Sequence, residues 1–236
     1  MSQETVNSPQ PATGEGTRDQ APRTLTEVLV IERLSRRFGD REILGSFDLT
    51  VAAGEHVALC GANGSGKTTL LRCVSGTLTP SGGRVLIGGH ETGSLAARRL
   101  TGVSLSQERS FYLRLSGREN LFFFARVRGY GAPEAKRRIE ALREELELDA
   151  IYAQRVDRCS TGMVQQLALA RALIGEPRLL ILDEPTRSLD KDAVQRVWAA
   201  IDRRPATALL MATHSEDDIG RCDHRIDLAL PAASGR

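Results

Sequence analysis

The chain has 236 residues, 41% of them hydrophobic and 26% charged, which is ordinary for a globular protein long enough to bury a full core. Its 32 basic and 30 acidic residues leave a net charge of +2, so the electrostatic footprint of a DNA- or RNA-binding protein is missing and no nucleic acid is expected as a partner. No run reaches the roughly 18–20 apolar residues that a spanning helix requires, so contact with a membrane is expected only through another protein.

Residues 1 to about 24 are rich in Ser, Thr, Gln, Pro, Gly and Glu. Such a segment buries too little apolar surface to offset its ordering entropy, and it lacks the apolar stretch of a secretory signal, so it reads as a disordered tail. Residues 25–236 read as one domain. Val28–Ile31, Phe47–Val51 and His56–Cys60 have the short apolar runs of strands, with Ala53-Gly54 as a turn. Thr69–Val74 predicts a helix, and Arg84–Ile87 a strand closed by Gly88-Gly89. Between Arg109 and Arg158 the pattern turns helical, with Ile139, Leu142 and Leu146 on one face behind Pro133. Helices are predicted again at Met163–Ile174 and Asp192–Ile201. Leu179–Leu182 and Ala208–Met211 are uninterrupted apolar runs, as central parallel strands covered on both faces require. Ile226–Leu230 reads as a last strand, and with 22 residues after His214 no appended regulatory domain is expected. The whole predicts an α/β core with a helical insertion over about residues 108–160. Cys60, Cys73, Cys159 and Cys222 form no C-x-x-C pair and read as reduced, mostly buried thiols of a cytosolic protein.

The run Gly61-Ala62-Asn63-Gly64-Ser65-Gly66-Lys67-Thr68-Thr69 has the spacing G-x-x-x-x-G-K-[ST] between a predicted strand and a predicted helix. Glycines let backbone N–H groups converge on phosphates, and a helix N-terminus adds its positive end. Lys67 is expected on the β- and γ-phosphates and Thr68 on Mg²⁺. Leu179–Leu182 runs into Asp183-Glu184 at a strand's carboxyl end, where ligands of open α/β sheets sit. Asp183 is therefore expected to hold the Mg²⁺ through water, and Glu184 to polarise a water aimed at the γ-phosphate.

Beyond the P-loop, several motifs follow in fixed order from residue 27 to 230, and together they resemble the ATP-binding subunits of ABC transporters. Cys159-Ser160-Thr161-Gly162-Met163 is similar to the family's signature motif L-S-G-G-Q, Gln107 to its Q-loop glutamine, Pro185–Asp190 to its D-loop and Ala212-Thr213-His214-Ser215 to its switch region. Phe38 matches the aromatic that stacks on adenine. The resemblance implies the P-loop NTPase ABC-ATPase fold: a mixed sheet core, an antiparallel β subdomain and an inserted helical subdomain. It implies that Gln107 also serves the Mg²⁺ site, that His214 contacts the γ-phosphate, and that Ser160 and Gly162 meet ATP held on a second subunit. Read alone, Ser160 is equally the N-cap of the helix after it; both roles follow from one geometry. The implied protein hydrolyses ATP at the cytoplasmic face of a membrane, as a homodimer or heterodimer bound to a transmembrane permease. The Ser-Thr-Gly-Met form resembles exporters with a type-2 permease, whose cytoplasmic helix would dock near Phe111 to Phe124. Three signature positions depart from the family, Cys159, Thr161 and Met163, and Gln166 stands where a basic residue is usual. A single-cassette ATPase of cluster assembly and a catalytically weak partner subunit remain as other readings, the second disfavoured because both Glu184 and His214 are present.

Overall fold

A computed structural model describes residues 26–105 and 110–229. The tail expected over residues 1–24 and the Q-loop residue Gln107 lie outside the described residues. Strands β1 (Glu27–Phe38) and β2 (Arg41–Ala52) form a long antiparallel hairpin, and β4 (Gly82–Ile87) and β5 (His90–Glu91) extend it in the order β2-β1-β4-β5. Only the apolar ends of this hairpin were visible as strands in the sequence. Its middle, Glu32 to Ser46, alternates imperfectly because the register shifts at several points along β1, between Ile31 and Leu34 among others.

The second sheet is wholly parallel, with β6 (Thr101–Ser104), β7 (Leu179–Asp183), β8 (Ala208–Ala212), β3 (His56–Cys60) and β9 (His224–Asp227) side by side in that order. The expected mixture of strand directions is thus divided between two sheets. Side chains alternate across the sheet, so Leu180, Leu182, Leu209 and Met211 enter one core, while Leu179, Ile181, Ala208 and Leu210 enter the other. Both faces are covered, which is why β7 and β8 carry unbroken apolar runs. Each of these leucines contributes on the order of 1.5–3 kcal/mol by leaving water.

The first core is shared by the sheet, α6 (Thr161–Leu173), α7 (Lys191–Asp202) and the helical block of α3 (Gly117–Val127), α4 (Ala132–Glu145) and α5 (Asp149–Tyr152). The block is therefore not a free lobe. Ser116 and Glu119 cap α3 reciprocally, and the fully buried Asn120 accepts from Tyr112 N at 2.8 Å and donates to Tyr112 O at 3.1 Å. Glu145 at the end of α4 receives two hydrogen bonds from Arg204 just beyond α7, each of 2.8 Å. The second core joins the antiparallel sheet to α1 (Lys67–Val74), α2 (Leu95–Leu100) and the opposite face of the parallel sheet.

The predicted helices appear within two residues of their expected ends. Strand β9 begins two residues before the expected Ile226 and is paired on one side only, by β3, so its apolar residues do not mark its limits; Leu230 lies outside the described residues. Strand β6 was not foreseen, because Thr101-Gly-Val-Ser carries one large apolar residue. The four cysteines are free thiols; burial pushes Cys73 up to about 11 and Cys222 up to about 12, which makes both poor nucleophiles at neutral pH.

Gly102 explains how β6 can pack so closely under α6. A Cβ there would lie 2.2 Å from Ala172 O and 2.9 Å from Pro177 Cγ. The backbone carbonyl cannot rotate away without disturbing α6, so Gly102→Ala is expected to cost about 1–3 kcal/mol of stability, read as a lower midpoint in urea with an unchanged slope.

Candidate functional site

Three neighbouring strands of the parallel sheet, β7, β8 and β3, deliver the site from their carboxyl ends. Asp183 is paired with Ala212, and Leu59 with the same Ala212, so Glu184, Thr213-His214 and Gly61 emerge at one level of the sheet. Side chains from these ends, with others nearby, line a cavity of roughly 410 Å³: Asn63, Glu184, Thr186, Arg187, His214 and Ser215.

The loop from Gly61 to Gly66 leaves β3 and enters α1. Gly66 is the N-cap of α1 at φ 98°, with no side-chain cap, so the first N–H groups of the helix point into the loop without an internal acceptor. A Cβ at Gly66 would meet Leu44 Cδ2 at 2.8 Å and Ile43 O at 3.1 Å, because strand β2 lies against the loop. Lys67, 8% exposed, folds its ammonium back on Gly61 O at 2.6 Å and Ala62 O at 3.1 Å. The Ser65 hydroxyl is buried and has no hydrogen-bond partner among the described residues. Free helix N–H groups, a buried ammonium and an orphaned hydroxyl form the donor set that a polyphosphate needs, so the residues present fit the expected nucleotide. Ala62, Asn63 and Gly64 are exposed along the loop's rim, and Thr69 continues the first turn of α1.

Thr68 Oγ1 donates to Asp183 Oδ2 at 3.0 Å, and Asp183 is 3% exposed. This pair of hard oxygens, one of them a carboxylate, suits Mg²⁺, which binds through one or two protein groups and takes its other ligands from phosphate and water. Gln107, expected to complete this site, lies outside the described residues.

Glu184 is a non-glycine residue at φ 50°, and its N–H donates to Ala212 O at 2.8 Å. This left-handed turn costs energy and bends the chain off β7, with the carboxylate at the cavity. His214 is half exposed, with Nε2 3.6 Å from Glu184 Oε1. The two expected catalytic side chains therefore face each other, though beyond hydrogen-bond distance.

Ser160 caps α6 by accepting from Met163 N at 3.2 Å. A Cβ at Gly162 would lie 2.5 Å from Ser188 O, so glycine is what lets the turn after β7 pack onto the start of α6. Ser160 and Gly162 are absent from the lining of the cavity that holds Glu184 and His214. Phe38 ends β1 beside the hairpin tip, 49% exposed, with the Arg36 guanidinium 4.3 Å from its ring centre. It is a surface ring with one face covered, not a core residue.

Sequence reasoning missed the residue that ties these parts together. Asp218, 1% exposed, accepts hydrogen bonds from Thr186 Oγ1, from Trp198 Nε1 at 2.9 Å and from Thr213 Oγ1 at 3.3 Å. It thus joins the turn after Glu184, the residue before His214 and helix α7. Its place inside Ser215-Glu-Asp-Asp218, an acidic run that reads as solvated surface, concealed it. The signal was Ser215, a helix cap whose hydroxyl accepts from Asp218 N at 3.3 Å and turns the carboxylate inward.

The chain matches the family described as ABC transporter over residues 44–187. It is 35% identical to the daunorubicin resistance ATP-binding protein DrrA3 of Streptomyces coeruleorubidus, over 85% of this chain and 65% of that one. It is 36% identical to the Nod factor export ATP-binding protein I of Rhizobium meliloti, over 84% of this chain and 60% of that one. The chain thus spans less than two thirds of the length of these curated relatives. A solved ATP-binding subunit of an ABC transporter superposes with a TM-score of 0.74 at 28% identity, covering 85% of each chain. The ATP-binding cassette MJ0796, solved as a dimer in a post-hydrolysis state with ADP and Pi, superposes at 0.77 with 21% identity, over 85% of this chain and 94% of that one.

Removing the Asp218 carboxylate takes the acceptor from two buried donors, Trp198 Nε1 and Thr213 Oγ1, and from the half-buried Thr186 hydroxyl. Asp218→Ala is expected to destabilise the protein by about 2–4 kcal/mol and to shift the emission of Trp198, the single tryptophan. Denaturation followed by tryptophan fluorescence checks both effects.

Proposed function

The chain belongs to the ABC transporter family, and from that premise we propose that it is the ATP-hydrolysing subunit of an exporter that works through a separate membrane permease. The observation that carries this reading is the convergence of Lys67, Thr68, Asp183, Glu184 and His214 at the carboxyl end of the parallel sheet. The N–H groups of Gly66 to Thr69 and the Lys67 ammonium would bind the β- and γ-phosphates, with Phe38 on the adenine. Thr68 and Asp183, with Gln107, would hold Mg²⁺, which when bound neutralises phosphate charge. Glu184 would orient a water on the γ-phosphorus and take its proton as the bond to the β-phosphate oxygen breaks, giving ADP and phosphate. His214, beside Glu184 at the cavity, would hold the γ-phosphate in line.

Ser160 and Gly162 do not reach this cavity within one chain, which supports a head-to-tail dimer in which each signature helix closes on the other's nucleotide. Closure is then favoured only while the γ-phosphate supplies charge-assisted contacts. Export rather than import is supported by the relative named for Nod factor export and by the Ser-Thr-Gly-Met signature. No helix of the described residues is long and apolar enough to cross a membrane, in keeping with a subunit attached to the membrane's cytoplasmic face by its permease. A groove of about 750 Å³ between α2, β6 and α3, lined by Leu95, Val103, Phe124 and Val127, offers a surface for a permease helix. In the run Phe122-Phe123-Phe124 beside it, Phe122 and Phe124 pack partly into the core, and Phe123 is the exposed one, edge-on to Tyr112 at 4.8 Å.

Glu184→Gln in the purified dimer is expected to lower ATP turnover by about 10²–10⁴-fold while ATP binding persists. Turnover close to wild type in that variant would overturn the assignment of Glu184. Lys67→Ala is expected to abolish ATP binding itself, read by titration with a fluorescent ATP analogue.

A further inference from the structure

The turn after β7 carries a cation that this mechanism leaves unused. Arg187 lines the same cavity as Glu184 and His214. Its backbone is held from both sides: Arg187 N donates to Glu184 O at 3.4 Å, and Leu189 N donates to Thr186 O at 3.0 Å. Thr186 is in turn anchored on the buried carboxylate of Asp218. The turn is thus fixed, and the Arg187 side chain stands at the cavity's edge.

Several other arginines of the chain are committed to carboxylates. Arg138 pairs with Glu134 at 2.7 Å and Glu176 at 3.2 Å, Arg143 with Glu140 at 2.9 Å, and Arg204 with Glu145 at 2.8 Å. Arg187 has no ion pair among the described residues. The remaining cations of the site are placed differently. Lys67 is drawn inward onto Gly61 O and Ala62 O, and His214 carries charge only when protonated. Arg187 is therefore the permanent positive charge on the outer side of the cavity, and its planar fork of five donors matches phosphate oxygens.

We propose that Arg187 binds the terminal phosphate of the nucleotide held on its own chain and so contributes to preference for ATP over ADP. The inference rests on the ATP-site reading above. It also gives the terminal phosphate a short route to the signature helix, because Ser188, the next residue, places its carbonyl against Gly162 at the start of α6.

The test uses the full chain with Mg²⁺ and two probes, ADP and the non-hydrolysable ATP analogue adenylyl imidodiphosphate, titrated by calorimetry. Arg187→Ala is expected to weaken the analogue about tenfold and ADP less than about twofold, the loss of one charge-assisted phosphate contact. Arg187→Lys keeps the charge without the fork and is expected to weaken the analogue about threefold. An unchanged ratio of the two affinities in Arg187→Ala, whether both fall together or neither falls, overturns the inference and leaves Arg187 a solvated or structural residue. If the unmodified chain binds neither probe, the inference falls together with the ATP-site reading; if it binds both and only the ratio fails to move, the inference falls alone. The side chain is exposed, and equal unfolding midpoints of variant and parent establish that the fold is intact.

Discussion

The pairing of β7 with β8, Asp183 opposite Ala212, is the constraint on which the site depends. Because side chains alternate along a strand, sliding β7 by one residue would exchange Leu180 and Leu182 with Leu179 and Ile181 between two filled cores. Each core is already packed, so the exchange would cost far more than any gain at the sheet's edge. The register is thus set by apolar burial deep in the molecule. Its consequence at the surface is polar: Asp183 stays within reach of Thr68 at 3.0 Å, and Glu184 begins its turn level with His214. Residues with no direct contact with nucleotide thereby determine where the chemistry can occur.

That dependence explains which parts of the protein were legible in the sequence. The P-loop, the acidic pair after β7 and the histidine after β8 are short motifs whose spacing is dictated by phosphate geometry, and they were readable because strand and helix patterns flank them. Strands β7 and β8 announced themselves through burial on both faces. Strand β6 did not, since Gly102 is there to admit the backbone of Ala172 and so contributes no apolar signal. The middle of the β1–β2 hairpin was hidden by its register shifts. The cap at Ser116-Gly-Arg-Glu119 was available as an S-x-x-E pattern before an apolar run, and it marks the start of α3 more sharply than the apolar periodicity does.

Asp218 was illegible for a different reason. In the sequence it is one acid among three, and nothing local distinguishes it from Glu216 and Asp217, which are exposed. Only the tertiary structure brings Thr186, Trp198 and Thr213 to it. A buried carboxylate is costly unless its hydrogen bonds are met, and here three donors from three separate elements meet them. Such a group holds its partners in one arrangement, because moving any of them leaves charge buried with fewer donors. The left-handed turn at Glu184 has a stable abutment for the same reason: the residue two positions on is pinned, and strain at φ 50° is not relieved by unwinding the turn.

The turn from Glu184 to Asp190 then stands between two sets of contacts that differ in kind. On one side it presents Glu184 and Arg187 to a water-accessible cavity. On the other, Ser188 O lies where any side chain at position 162 would have to go, and Asp190 caps α7 by accepting from Ala193 N at 2.8 Å. The turn is thus tied at both ends, to the buried Asp218 carboxylate through Thr186 and to α7 through the Asp190 cap, which leaves it little freedom to deform. Glycine at 162 is therefore what holds the turn and the start of α6 in contact, since any side chain there would have to displace Ser188 O.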